Sequence, residues 1–422
     1  LRYLFTVWSF PGCLHPFLSV GKALQQRGHE IAYYTGSAYR QVIEQEGFTF
    51  FPFQSGMDEV VQRCVFSENS IGANWNRPWR VPALLKVMFV DTIPMQLEDL
   101  EDIVQNWKPR AIVCDPALFA PFLILHERSR IPVVLLSYVL GCLYPGPDIP
   151  PVGLGLPLPR GPLSRLRNFL VGKTVDLSLY RFRRGANSYR RRYGLVPVRG
   201  SVVTLASKLP LYLITSCPDL DYPRSRLPSN VRYVGACFWY PPQQPQRWIE
   251  ALPQDRPCVY VNEGTIHVAK PFILQTAREG LADRPMQVIM TTGLHRDAAS
   301  LGIDPVPANF IIHRWVNHDG LMPRVNVMVC TGGPGTILAA LKCGVPMVVI
   351  PTEWDHPENA ERLREAGVAI RLSQSECTPR RLRKAVEKLI HEPSYRRNAR
   401  RISSTLRLQG GAERAAELVE RI

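Results

Sequence analysis

The chain has 422 residues, 45% of them hydrophobic, and a mean hydropathy of -0.08; this is enough apolar material for two domain cores, and no apolar run reaches the roughly 20 residues of a membrane-spanning helix. A formal charge of +15 with a pI near 9.5 favours acidic ligands or surfaces: nucleotides, nucleic acid or anionic lipid. The ten cysteines form no CxxC pair and have no histidine at metal-ligand spacing, which argues against a zinc site or a disulfide framework.

The opening "LRYLFTVW" reads as a first strand and not as a signal peptide, so a cytoplasmic protein is expected. After a Pro/Gly turn, a helix is predicted from about His15, with Pro16 in its first turn and Gly28 at its stop; "EIAYYTG" then gives a second strand and completes a βαβ unit. Further strands follow at "RAIVCD" (110–115), "IPVVLLS" (131–137), "LYLITSC" and "VRYVGAC". The proline-rich 145–163 reads as a long irregular loop of the kind that contacts substrate. The arginine-dense "RFRRGANSYRRRYG" (181–194) reads as a solvated helix face; no base-contacting pattern supports nucleic acid, and an anionic membrane surface is the remaining alternative.

Five prolines within 238–257 mark a linker between domains. Strand and helix alternation then restarts at "CVYVNEGT" and runs to "VAIRLS", followed by a helical close from about residue 378. The expected organisation is α/β: a first Rossmann-like domain over 1–237, the linker, a second over 258–400, and a terminal segment, 401–422.

Between the apolar "NVMVC" and a helix-like run stands "TGGPGT" (331–336). In a parallel sheet, ligands bind beyond the carboxyl ends of the strands. Glycines admit a close anion, and a helix start offers free amides and a favourable dipole. The loop is neither GxGxxG nor a Walker loop, so an ordinary turn stands as the alternative. Its sequel is "PTEWDHPENAERL", which sets Glu353, Asp355, His356 and Asn359 at the end of the next strand. Polar groups beside a phosphate cradle suggest a sugar nucleotide.

The run 331–360 resembles the signature of family 1 glycosyltransferases, approximately HGGxGT, GVPxxxxP, DQxxNA; here it reads "TGGPGT", "GVPMVVIP", "DHPENA". The likeness continues through "GT" at 264–265, "RWVNHDGLMPRVNV", "RYVGACFWYPP" and "HPFLSVGKALQQRGHEI". It implies two Rossmann-like domains facing across a cleft (GT-B), with the acceptor on the first, the donor on the second, and the last helix crossing back. By position, Trp315 and Val316 are to hold the nucleobase. Gly332, Gly333, Gly335 and Thr336, with Gly264 and Thr265 opposite, are to hold the diphosphate; Asp355 and His356 are to meet the sugar, and Asn359 closes the pocket. The implied reaction is metal-independent, inverting transfer of a hexose from a UDP-sugar, or alternatively a TDP-sugar, to a hydroxyl of an apolar small molecule. No further cofactor and no metal are expected.

Three positions depart from the family pattern. Thr331 replaces a phosphate-binding histidine, and Ala339 a ribose-binding glutamate. Cys13 stands where the catalytic histidine belongs, in "GCLHP", while Asp115 matches the aspartate that orients it. A thiol beside a carboxylate is a poor base. His15, two residues on, is the substitute candidate, against the usual role of such a histidine as a cap or surface group. A nucleotide-sugar-binding helper without catalysis is the alternative reading.

Overall fold

The computed structural model describes the chain except residues 55, 68, 75, 76, 78, 117, 118, 145, 147, 200–207, 225, 226, 242–245, 265–270, 294 and 295. Among the described residues thirteen strands form two parallel sheets. The first has the order β3-β2-β1-β4-β5-β6-β7, from β1 (Arg2–Thr6), β2 (Glu30–Thr35), β3 (Thr49–Pro52), β4 (Ala111–Cys114), β5 (Val133–Ser137), β6 (Leu211–Ile214) and β7 (Val231–Tyr233). The second has the order β10-β9-β8-β11-β12-β13, from β8 (Cys258–Asn262), β9 (Gln287–Thr291), β10 (Phe310–His313), β11 (Val327–Cys330), β12 (Met347–Val349) and β13 (Ala369–Arg371). The central strands are buried along their whole length, as parallel strands covered on both faces must be, and this is why they read as unbroken apolar runs.

Strand order reverses between β1 and β4 in the first sheet and between β8 and β11 in the second. A crevice opens at such a reversal, beyond the carboxyl ends of the strands. Cys13 and Asp115 follow β1 and β4, and the glycine turn follows β11, so the candidate residues lie at these two crevices.

Two elements differ from expectation. The first helix spans Pro11–Gln26, four residues earlier than predicted, with Pro11 in its first turn and Pro16 inside it. Cys13 and Leu14 both donate backbone hydrogen bonds to the Phe10 carbonyl, so helical geometry is established before Pro16 arrives. His15 is therefore in the second turn and not at a helix start. The strand β3 has no counterpart in the sequence reading; it is an edge strand closed by Pro52, where a missing amide leaves no ladder bond unmade.

The chain returns to the first unit at Gly410 and Gly411, both left-handed (φ 89° and 63°). The helix Pro393–Leu408 packs Ala399, Ile402 and Leu406 into the second unit's core, so residues 401–408 still belong there. The helix Gly411–Glu420 places Ala415, Ala416 and Val419 in the first unit's core. At its end Glu420 accepts from Arg27 at 2.8 Å and pairs with His29 at 2.6 Å.

A buried charge cluster also joins the units. Arg362, in the helix His356–Glu365, pairs with Asp221 of the first unit and with Glu358 at 2.8 Å, and its guanidinium lies 4.3 Å over the Tyr222 ring. Asp221 also accepts from Arg224 at 2.9 Å, Tyr233 Oη at 2.5 Å and the Cys142 amide at 3.0 Å. Burial alone would raise the Asp221 carboxyl, but Arg362 and Arg224 outweigh it and hold the group below its ordinary range. From the proline-rich loop, the Gly153 amide donates to Glu358 at 2.8 Å and the Gly155 carbonyl accepts from Arg371 at 2.7 Å. Desolvation offsets much of the attraction in such a cluster, so its main effect is to fix one arrangement of the two units; removing one partner strands the others. Arg362→Ala is expected to lower unfolding free energy by about 3–5 kcal/mol, because Asp221 and Glu358 lose their shared cation. Urea denaturation measures this loss.

Candidate active site

The donor side is built on β11 and β12. Gly332 turns the chain at φ 104°, and a Cβ there would lie 3.1 Å from Val349 Cγ1 and 3.4 Å from the His356 backbone oxygen. Both conformation and space therefore require glycine. The helix Pro334–Lys342 follows directly, with Gly333 as its N-cap residue and no side-chain cap. Pro334 has no amide hydrogen, and Ile337 donates to the Gly333 carbonyl, so Gly335 and Thr336 carry the helix's unpartnered donors. A Cβ at Gly335 would meet nothing within 4 Å. The Gly335 side of the helix start is therefore uncrowded.

Asn359 holds the turn in place. It is fully buried, and its Nδ2 donates to the Gly332 carbonyl at 2.9 Å and to Asp355 Oδ2 at 2.8 Å. Across the loop, Thr331 Oγ1 donates to the Glu263 carbonyl at 3.4 Å, and the Gly264 amide (φ 89°) donates to Asn262 Oδ1 at 2.5 Å. The Thr331 hydroxyl thus ties the ends of β8 and β11 together. Thr265 lies outside the described residues. Trp315 is half-buried after the end of β10, whereas the Val316 side chain is core, so any contact of Val316 with a base is through its main chain. Ala339 is likewise core and contributes no polar group.

His356 Nδ1 shares a hydrogen bond with Thr352 Oγ1 at 3.0 Å, and Nε2 faces Gly333. Burial depresses its pKa to about 4, so the ring is neutral near pH 7. Burial acts the other way on the neighbouring carboxyls. Asp355 rises to about 6 despite the Asn359 hydrogen bond, and Glu353 to about 7. Between them Trp354 adopts φ 55°, a left-handed conformation that is unusual for a bulky residue, and packs against the first unit's core. A Cβ on Gly72 of the first unit would collide with Glu353 Oε2, so that carboxyl abuts the acceptor side directly.

On the acceptor side, Cys13 and Asp115 do come together, with Tyr138 between them. The Tyr138 hydroxyl donates to Asp115 Oδ1 at 3.4 Å and lies in hydrogen-bonding reach of the Cys13 sulfur. Burial, and then the Asp115 charge, push the Cys13 thiol well above its ordinary value; Asp355 adds to this from across the cleft. His15 faces elsewhere. Its ring packs on Trp239 at 5.1 Å between centroids and neighbours His318, and burial followed by His318 lowers its pKa to about 4. On the same unit a cavity of about 240 Å³ is lined by Ser9, Tyr39, Asp58, Gln62 and Phe66 among others, and an open depression of about 560 Å³ adjoins it along Asp58, Gln62 and Phe66. Phe66 meets Phe10 edge-on at 5.7 Å, and Phe10 stacks on Trp8 at 6.4 Å.

Residues that sequence reasoning did not assign are Tyr138, Glu353 as a proton-accepting group, and Trp354. Only "TEWD" itself, acids flanking an aromatic at a strand end, signalled the last two.

Comparison with known proteins bears on the family and the fold. Residues 284–419 match the family described as the Erythromycin biosynthesis protein CIII-like C-terminal domain. The chain is 30% identical over 415 residues to 4'-demethylrebeccamycin synthase of Lentzea aerocolonigenes, covering 97% of this chain and 96% of that protein. It is 26% identical over 406 residues to UDP-glycosyltransferase 2 of Phaeomoniella chlamydospora, covering 90% and 86%. The solved structure of CalG4, the calicheamicin glycosyltransferase, superposes with a TM-score of 0.77 at 22% identity, over 100% of this chain and 97% of that one. The chain belongs to the natural-product glycosyltransferases of the macrolide type, and its two parallel-sheet units form the GT-B fold.

Asn359→Ala removes the only side chain that fixes the Gly332 carbonyl among the described residues. It is expected to weaken nucleoside diphosphate binding roughly 5- to 100-fold, the equivalent of one lost buried hydrogen bond, read as a smaller thermal shift on nucleotide addition.

Proposed function

We propose that the protein is an inverting, metal-independent hexosyltransferase that moves a sugar from a nucleoside diphosphate to a hydroxyl of an apolar, aromatic acceptor. The observation that carries this reading is the glycine turn with unpartnered amides at a helix start, braced by Asn359 and flanked by Asp355 and His356. Amides pre-aimed at a departing diphosphate offset its growing charge without a cation. UDP is the favoured nucleotide; the solved structure of VinC holds DTDP, and thymidine diphosphate is the alternative. Phe66, an aromatic side chain that lines the cavity on the first unit, suits an apolar acceptor.

Cys13 does not serve as base, since its proton is held more tightly than in water. The carboxylates of the 352–359 stretch take that role. Asp355 is close enough for its charge to reach Cys13, and Glu353 abuts Gly72 on the acceptor side. A carboxyl with a pKa near 6 or 7 is matched to accepting a proton at neutral pH. The second reading, a binding protein without transfer, is favoured by Cys13 and by Thr331.

The test is incubation with UDP- and TDP-sugars and a panel of phenolic acceptors in the presence of EDTA, read by mass spectrometry. Transfer is expected; nucleotide binding without transfer or hydrolysis across the panel would favour the second reading. Because the base must be unprotonated, kcat/KM should fall as pH drops from about 7 to about 6. Glu353→Gln or Asp355→Asn should abolish that limb and lower kcat by about 100-fold or more, with the responsible residue identified by which substitution does so.

A further inference from the structure

The segment 160–199 carries eleven lysines and arginines against one carboxylate, Asp176, and so holds ten of the chain's fifteen net positive charges. It folds as two helices, Pro162–Ser178 and Tyr180–Arg192. The first does not bury its apolar side chains: Leu163, Leu166, Phe169, Leu170 and Leu177 are 84, 55, 60, 54 and 75% exposed. At 100° per residue, positions 163, 166, 170 and 177 fall within one narrow stripe along the helix, with Phe169 at its edge. Tyr180, also exposed, extends the apolar surface into the second helix.

The charges around this stripe are largely uncommitted. Arg160 and Arg190 meet carboxylates, Glu365 and Glu127. Arg165, Arg181, Arg184 and Arg191 are exposed and meet none among the described residues. Lys173 lies over the exposed Phe169 ring at 5.4 Å. An apolar helix stripe left in water, on a helix pair rich in exposed cations, calls for a surface that is apolar in depth and densely anionic at its face. The cores of protein interfaces are depleted of charged residues; an anionic bilayer offers an apolar depth and a charged face at once.

We infer that the face formed by Leu163, Leu166, Phe169, Leu170 and by Arg181, Arg184 and Arg191 docks on an anionic lipid surface. The stripe inserts at headgroup depth while the guanidinium groups meet lipid phosphates. The position suits a transferase. The helix Pro162–Ser178 continues directly from the loop whose Gly153 and Gly155 are anchored to the donor unit, so the docked face adjoins the cleft.

Flotation of the full chain with phosphatidylcholine vesicles, with and without phosphatidylglycerol, tests this without any sugar nucleotide, so its failure leaves the transferase reading untouched. Binding is expected only with phosphatidylglycerol, and weaker at about 0.5 M salt, where the Debye length is short. Arg181→Gln/Arg184→Gln/Arg191→Gln should lower the partition coefficient by about 100-fold, roughly five-fold per arginine. Leu166→Ser/Phe169→Ser/Leu170→Ser should abolish flotation, and both triple variants should melt like the parent because every changed side chain is exposed. Absence of flotation with anionic vesicles, or flotation indifferent to phosphatidylglycerol, overturns the inference. So does a dimer in light scattering that the apolar variant dissolves, which would assign the stripe to a second copy.

Discussion

The structure depends on how a buried strand becomes a helix at Gly332. A parallel strand delivers the chain to the sheet's carboxyl edge, and a helix must start at once for the sheet to be covered. Only a residue tolerating φ 104° with no Cβ makes the turn against Val349 and His356. The turn leaves the first helical amides without partners, and no side chain caps them. Elsewhere in a fold a Ser, Thr, Asp or Asn normally caps such a helix. Here a proline removes one amide and a glycine keeps the approach to the next one clear, so the helix start is shaped for a group that arrives from outside.

The stretch that braces this turn also reaches across the cleft. Within ten residues, Asn359 holds the Gly332 carbonyl, Trp354 packs on the first unit's core, Asp355 bears on Cys13, and Arg362 pairs with Asp221. Donor geometry and the placement of the acceptor unit are therefore set by one short segment and its helix. The strained Trp354 is the residue that lets Glu353 and Asp355 both enter an interface of low polarity, where burial raises their pKa values into the neutral range. In the proposed reaction these carboxyls, on the wall opposite Cys13, take the place of the histidine.

Much of this was legible in the sequence. Central strands such as "AIVC" and "VMVC" announce themselves because burial on both faces demands unbroken apolar runs, and the glycine loop and its "DHPENA" sequel, which carry the family resemblance, do come together where Asn359 holds the Gly332 carbonyl. What escaped depends on contacts between distant segments. Tyr138 lies in a stretch with no motif, and its meaning comes from lying between Cys13 and Asp115. His15 looked available because it is two residues from Cys13, but on a helix that separation turns the side chain about 200° away, toward Trp239. The helix began earlier than expected because a proline inside a helix looks like a start when read alone. Nothing in the sequence around Arg362 shows that its partner is Asp221.

The central claim is that the amides at the start of the Pro334–Lys342 helix bind a pyrophosphate. Calorimetric titration with UDP, UMP and uridine, repeated with the thymidine series, tests it most directly. The account predicts that affinity falls by about tenfold or more with each phosphate removed, as expected for charge-assisted hydrogen bonds. Equal affinity for diphosphate and nucleoside, or no heat with any of them, would contradict it.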